Sequence, residues 1–213
     1  MKEIKVVYNR IDFDYYQESF GDLVKNLYPS RQEAVRRFKN KEAAIVSLVA
    51  GIMLQDTVKR ELGIDAFDIV LEKNENGKPS LAGYPEFHFN LSHSGEMVFL
   101  AYGNSPVGID VEKLRCGKKD INVAKRCFTK REYEYILEEE TKEHRFTSIW
   151  TMKEAYLKYK ATGISVPLNS FEVNPEKGIV EGEDLKIYTG QIGEYIYSLC
   201  VEGDCEVFYD FEF

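Results

Sequence analysis

The chain has 213 residues, enough for one large domain or two small ones with a substantial core. Hydrophobic residues make up 44% and charged residues 30%, an ordinary water-soluble composition, and acids exceed bases by 36 to 28 for a formal net charge of −8. That excess argues against generic nucleic-acid binding, which depends on neutralising phosphates; a phosphate bound here calls for a local basic patch or a metal.

The first ten residues, "MKEIKVVYNR", lack a long apolar core and a small-residue cleavage site, so they do not read as a secretory signal. Residues 2–8 alternate as a strand. Residues 30–60 read as helix, started by Pro29-Ser30, with a break near Asn40 that splits it in two. The apolar run at 43–54 is too short to span a bilayer, so the expected location is the cytoplasm, with no membrane partner. "FDIVLEKN" (67–74) reads as a strand, "NENGKPSL" as a turn, "EFHFNLS" (86–92) as a strand, "HSGE" as a turn and "MVFLAYG" (97–103) as a strand. "VGIDVEK" is a further strand. A helical region covers about 120–161 with a break around Thr141, and "SFEVNP", "DLKIYTGQIGEYIYSLCVEG" and "CEVFYDFEF" close the chain as strands. This order suggests two similar α+β halves meeting near residue 105: 1–104 and 105–213. The four cysteines, Cys116, Cys127, Cys200 and Cys205, have no zinc-like spacing and are expected to be reduced.

The strand "GIDVE" poses a question of charge. Residues two apart share a strand face, so Asp110 and Glu112 lie together while Ile109 and Val111 face a core. Two like charges that close are stable only if a cation sits between them or water screens them. In "SIWTMKEAYLKYKATGI", Glu154 and Lys158 are four apart on one helical face, and Gly163 is a plausible stop. Taken alone, they read as a solvated ion pair, and the strand acids as an exposed edge. Lys153 falls inside the apolar arc of the same helix, which a surface pair does not explain. Taken together, Asp110, Glu112 and Glu154 form an oxygen donor set suited to magnesium, with Lys158 beside it to meet a phosphate. In "NLSHSG" (90–95), His93 beside two serines, Ser92 and Ser94, and Gly95 offers several anion-binding donors. Arg31, Arg36, Arg37, Lys39 and Lys41 make a basic cluster in an acidic chain.

"GKP", "FNLSHSG", "GIDVE", "FTKREY" and "WTMKEAYLKYKATGI" occur in that order over about residues 29–173. As an ordered set they closely resemble the 4′-phosphopantetheinyl transferases, in the longer two-half form. The resemblance implies a pseudo-dimeric α+β fold working as a monomer, with coenzyme A bound on the 1–104 side and magnesium and catalysis on the 105–213 side. It implies transfer of phosphopantetheine from coenzyme A to a serine of an acyl- or peptidyl-carrier protein. It further implies Asp110, Glu112 and Glu154 as magnesium ligands, Glu154 also as the base, and Lys158 on the coenzyme A phosphates. Ser92 and His93 match residues at the pyrophosphate and the 3′-phosphate. Gly77, Lys78 and Pro79 match the adenine-side loop, and Arg31 and Ser47 the 3′-phosphate clamp. The chain departs from that pattern at Ala34, where the family's type member has a second basic residue, which leaves the clamp thinner unless Arg37 or Lys41 substitutes.

Overall fold

The computed structural model describes residues 1–138 and 141–210. Strand β1 (Glu3–Arg10) is followed by two short helices that the sequence reading left unassigned, α1 (Phe13–Glu18) and α2 (Phe20–Lys25). Then come α3 (Pro29–Arg36) and α4 (Lys41–Leu62). Asn40 does divide them: its side chain accepts from the Ala43 N–H at 2.9 Å and caps α4, which Gly63 ends in a left-handed conformation at φ 73°. The expected strand at 67–74 shrinks to β2 (Leu71–Lys73), because Ala66–Asp68 forms a turn of 3₁₀ helix. It pairs with β3 (Pro79–Leu81). Strands β4 (His88–Ser94) and β5 (Met97–Gly103) form a hairpin in which His93 and Ser94 belong to the strand rather than the turn.

The second half opens with β6 (Gly108–Lys113). The helical region that follows is three helices, α5 (Lys118–Cys127), α6 (Lys130–Leu137) and α7 (Lys142–Lys160). The α6 start is a capping box, with Thr129 and Glu132 each bonding the other's backbone N–H. Strands β7 (Val173–Asn174), β8 (Ile179–Val180), β9 (Leu185–Ile192), β10 (Tyr195–Glu202) and β11 (Glu206–Tyr209) complete the chain; residues 211–213 of the last expected strand lie outside the described residues.

The strands form two main sheets, β11-β1-β5-β4 and β6-β10-β9-β8-β7. Alternation places Ile4, Val6, Phe99 and Ala101 of the first sheet and Ile109, Val111, Leu199 and Val201 of the second in one shared core. The opposite face of the first sheet, with Val7, Val98 and Leu100, packs on α4 through Val49, Met53 and Leu54. The far face of the second packs on α7 through Ile149, Met152 and Ala155. The fold is thus α+β, with two helix-backed sheets sharing their inner faces. Covalent sequence and sheet membership part at one place: β11 crosses back and pairs in parallel with β1, Glu206 opposite Glu3. Among the described residues no helix is long and apolar enough to cross a membrane, and all four cysteines are free.

Two contacts shape the place where the site lies, one between the sheets and one between β6 and its helix. At their facing edges β4 reaches β6 with side chains rather than backbone. Asn90 Oδ1 accepts from the Ile109 N–H at 2.8 Å, Ser92 Oγ from Val111 at 3.2 Å and Ser94 Oγ from Lys113 at 3.1 Å. Residues two apart on one strand thereby satisfy N–H groups two apart on the other. Behind β6, helix α7 lies against Gly108. A Cβ there would stand 2.0 Å from the Ala155 carbonyl oxygen and 2.3 Å from the Tyr159 nitrogen, both backbone atoms that cannot swing aside. Gly108→Ala is therefore expected to destabilise the protein by at least about 3 kcal/mol in urea unfolding. Gly21→Ala, in helix α2 with nothing within 4 Å of the new methyl, is expected to stay within about 1 kcal/mol of the parent, on the stabilising side.

Candidate active site

Because Ile109 and Val111 enter the shared core, Asp110 and Glu112 are turned to the α7 side of β6. Asp110 is buried and Glu112 half-buried. On α7, Glu154 and Lys158 are one turn apart and face them. The Lys158 ammonium donates to Asp110 Oδ1 at 2.7 Å, to Ser92 Oγ at 2.9 Å and to the Ile109 carbonyl at 3.1 Å. It is thus no solvated partner of Glu154; it ties α7 to β6 and β4. Ser92 is fully used, since its hydroxyl donates to Asp110 Oδ1 at 2.8 Å and accepts from Lys158 and the Val111 N–H. Asp110 Oδ2 is buried and has no hydrogen-bond partner among the described residues.

Glu112 accepts from Ser94 Oγ at 3.0 Å and lies 3.9 Å from Arg115. Its carboxyl is held above the usual range by burial and by the Asp110 charge, with Ser94, Arg115 and Lys158 pulling the other way. Glu154 is raised likewise, by burial and then Asp110, opposed by Lys158, with Glu112 adding to the rise. Three carboxylates thus feel one another across a half-buried space with one lysine between them. Among the described residues no three His, Cys, Asp or Glu side chains already enclose a metal position. The donor set nonetheless fits a hard divalent cation: it is all oxygen, it includes the unpartnered Asp110 Oδ2, and it is under like-charge repulsion that a cation relieves. Magnesium takes few protein ligands, and water and phosphate oxygens complete its shell.

A cavity of about 280 Å³ opens beside this group, lined by Glu154, Leu157 and Lys158 of α7, Asn90 of β4, and Gly77, Lys78 and Pro79. The lysine of that loop does not project into solvent. Its ammonium donates to the Val107 carbonyl at 2.9 Å and the Lys158 carbonyl at 2.6 Å. Burial, with the nearby Lys158 cation, pushes its pKa down to about 8. His93 lies on the opposite face of β4 from Ser92, is exposed, and has its pKa lowered by partial desolvation and then by Lys158. Arg31 and Ser47 meet each other on α3 and α4, Nη1 to Oγ at 3.4 Å, with Arg31 Nε donating to Tyr28 Oη at 2.9 Å. Gly51 makes room for this, since a Cβ there would sit 2.6 Å from Arg31 Cγ. Of the residues suggested to reinforce that pair, Arg37 is engaged by Glu33 at 3.4 Å and Lys41 stands exposed at the start of α4.

Three residues that shape the site, Asn90, Arg115 and Glu132, are not singled out from sequence, and Ser94 reads there only as an anion-binding donor. Asn90 and Ser94 complete the joint with Ser92, and their i, i+2, i+4 polar spacing in "NLSHS" was the available signal. Arg115 lies over Trp150 at 5.3 Å, a pair that the sequence separates too widely to reveal, and 3.9 Å from Glu112, three residues before it. Glu132 explains the anomalous Lys153: the two form a buried ion pair at 2.8 Å, and Lys153 also donates to the Leu168 and Phe171 carbonyls. Glu132 in turn accepts from the Val173 N–H at 2.8 Å, so the pair fixes α6 and the following chain to the helix that carries Glu154.

Two family models match adjoining parts of the chain. Residues 14–105 match "4′-phosphopantetheinyl transferase, N-terminal" and residues 106–199 match "4′-phosphopantetheinyl transferase superfamily". Among curated proteins, the chain is 36% identical over 159 residues to 4′-phosphopantetheinyl transferase Sfp of Bacillus subtilis (strain 168), covering 74% of this chain and 70% of that protein. It is 31% identical over 173 residues to 4′-phosphopantetheinyl transferase gsp of Aneurinibacillus migulanus, covering 80% and 71%. It is also 31% identical over 168 residues to the mouse L-aminoadipate-semialdehyde dehydrogenase-phosphopantetheinyl transferase, covering 71% of this chain and 54% of that one.

The charge arrangement has a measurable consequence. In metal-free buffer at neutral pH, Glu112→Gln removes repulsion against Asp110 and is expected to raise Tm by about 2 °C. Added magnesium is expected to raise the Tm of the parent chain and to raise that of the variant less. A parent Tm indifferent to millimolar magnesium, followed by differential scanning fluorimetry, would argue against a cation at this place.

Proposed function

The chain belongs to the 4′-phosphopantetheinyl transferase superfamily and is a phosphopantetheinyl transferase; from that premise we propose that it moves the phosphopantetheine arm of coenzyme A onto a serine of an acyl- or peptidyl-carrier protein. The by-product is adenosine 3′,5′-bisphosphate. The observation that carries this reading is the junction of Lys158, Asp110 and Ser92 beside Glu154, at a cavity whose other wall is the Gly77–Pro79 loop. A lysine cation and three carboxylates, one of them the candidate base, thus stand together at the seam of β4 and β6, under α7.

Asp110, Glu112 and Glu154 would hold magnesium, which when bound neutralises charge on the pyrophosphate. The Gly77–Pro79 backbone supports the adenine end, and Arg31, Ser47 and His93 serve the 3′-phosphate. Glu154 takes the proton of the acceptor serine, directly or through water; its raised pKa makes it a better proton acceptor than an ordinary carboxylate. The serine oxygen bonds to the phosphorus that carries pantetheine while the bond to the bridging oxygen breaks. Lys158 meets the charge that collects on the leaving bisphosphate, and its second contact to Asp110 keeps it aimed. The protein's excess of acid is compatible with an anionic co-substrate because the contacts are local.

The direct test is incubation with coenzyme A, magnesium and an apo carrier protein, followed by mass spectrometry of the carrier. Asp110→Ala is expected to abolish transfer even at saturating coenzyme A, because Lys158 loses its carboxylate partner and Glu112 and Glu154 are left as like charges with a poorly held cation. Glu154→Gln keeps shape and one oxygen donor but loses the charge. It is expected to bind coenzyme A, more weakly, while single-turnover transfer falls by about 10²–10⁴. Transfer near the parent rate by Glu154→Gln, with normal calorimetric binding, would remove Glu154 as base.

A further inference from the structure

The last turn of α7 ends at Lys160, and Ala161 follows in the left-handed conformation at φ 56°, a costly choice for a residue with a Cβ. Its last carbonyls are met from the other half of the molecule, that of Lys158 in addition to the Ala161 N–H at 3.3 Å. Lys78 Nζ donates to the Lys158 carbonyl at 2.6 Å, Asn76 Nδ2 to the Ala161 carbonyl at 3.0 Å, and Asn74 Nδ2 to the same oxygen at 3.3 Å. The turn that presents them is itself tied down: Asn74 Oδ1 accepts from the Asn76 and Lys78 N–H groups at 3.1 and 2.8 Å, and the Gly77 N–H donates to the Asn74 carbonyl at 2.9 Å. The same ammonium also holds the Val107 carbonyl at 2.9 Å, one residue before β6. No carboxylate is bonded to Lys78 among the described residues.

We propose that Lys78 is a positioning residue: with Asn74 and Asn76 it caps the C-terminal end of α7 and sets that end against the start of β6, so that Lys158 meets Asp110. This rests on the transferase reading above and refines it. The side chain of Lys78 acts on protein carbonyls, and only the backbone of its loop is left to the co-substrate. A cation at the negative end of a helix is favourable in itself. Here it also spans the two elements whose spacing fixes the distance from Lys158 to Asp110, and a displacement of about 1 Å at such a place costs catalysis heavily.

The experiment uses Lys78→Met, which keeps the aliphatic stem, and the double variant Asn74→Ala/Asn76→Ala, which leaves the ammonium in place. Steady-state transfer from coenzyme A to an apo carrier protein gives kcat and KM, and hydrogen exchange is read over residues 157–163. For both variants kcat is expected to fall at least about tenfold while KM for coenzyme A stays within about twofold, with exchange of the segment accelerated. A raised KM with unchanged kcat for Lys78→Met makes the ammonium a coenzyme A ligand and overturns the proposal, as does unaltered exchange or parent-like kinetics in both. Should Lys78→Met fail to fold, the double variant decides alone. A parent protein that modifies no carrier would overturn the transferase reading instead, and the exchange measurement would still show whether the turn holds the helix end.

Discussion

The absence of a side chain at Gly108 is the constraint on which the site rests. It lets the backbone of α7 come against the first residue of β6, so close that even a methyl group would overlap Ala155 and Tyr159 backbone atoms. From that distance a lysine one turn from the helix end reaches the strand's own carboxylate, the Ile109 carbonyl and a serine of the neighbouring sheet at once. Were α7 moved out by a side-chain layer, the Lys158 ammonium would reach water first, and Asp110 would be a buried charge without a cation. Packing geometry, not the ionic groups themselves, decides that a surface-type i,i+4 pair becomes a three-element junction.

Much of this was legible beforehand, and the reasons differ by residue. The strand alternation of "GIDVE" is a local rule, and the two faces fall as it requires, Ile109 and Val111 inward, Asp110 toward α7. The Asn40 break and the Gly63 stop are local too. What could not be read is what crosses the chain. Helix α1 and helix α2 are six residues each, too short for periodicity to show. The return of β11 to β1 links residues about as far apart as the chain allows. Lys78 illustrates the limit best. A lysine in a tight turn looks solvent-exposed, and the carbonyls it holds belong to residues 107 and 158. Lys153 sat in the apolar arc as an anomaly, and its meaning waited on Glu132, which lies in another helix.

The electrostatics of the site are those of a structure incomplete by itself. Burial and the Asp110 charge together raise Glu112 and Glu154, so their ionised forms cost free energy in the protein alone. Lys158 offsets part of this, but it is bonded to only one oxygen of Asp110, and the other is left without a donor. A cation bound there would relieve this cost, and the proposed chemistry needs a cation and a phosphate in the same place. The arrangement also separates two kinds of charge carried by α7 and its partners. Lys153 and Glu132 are fully paired and further bonded to backbone, and they build the scaffold; Glu154 and Lys158, one and five residues on, are left partly open and serve the site.

The joint between β4 and β6 differs in kind from the pairing inside either sheet. Backbone ladders are indifferent to which side chains the strands carry, so substitution rarely alters them. At the joint, three N–H groups depend on Asn90, Ser92 and Ser94, and those bonds exist only while those side chains do. Relative to ordinary pairing, the seam is written in replaceable letters. An alanine at Asn90 would loosen a single stitch, at the cost of one N–H left without its partner, and leave both ladders whole. The angle between the halves, and with it the width of the cleft between them, is thereby open to adjustment by point mutation during evolution, one residue at a time, without re-inventing either sheet.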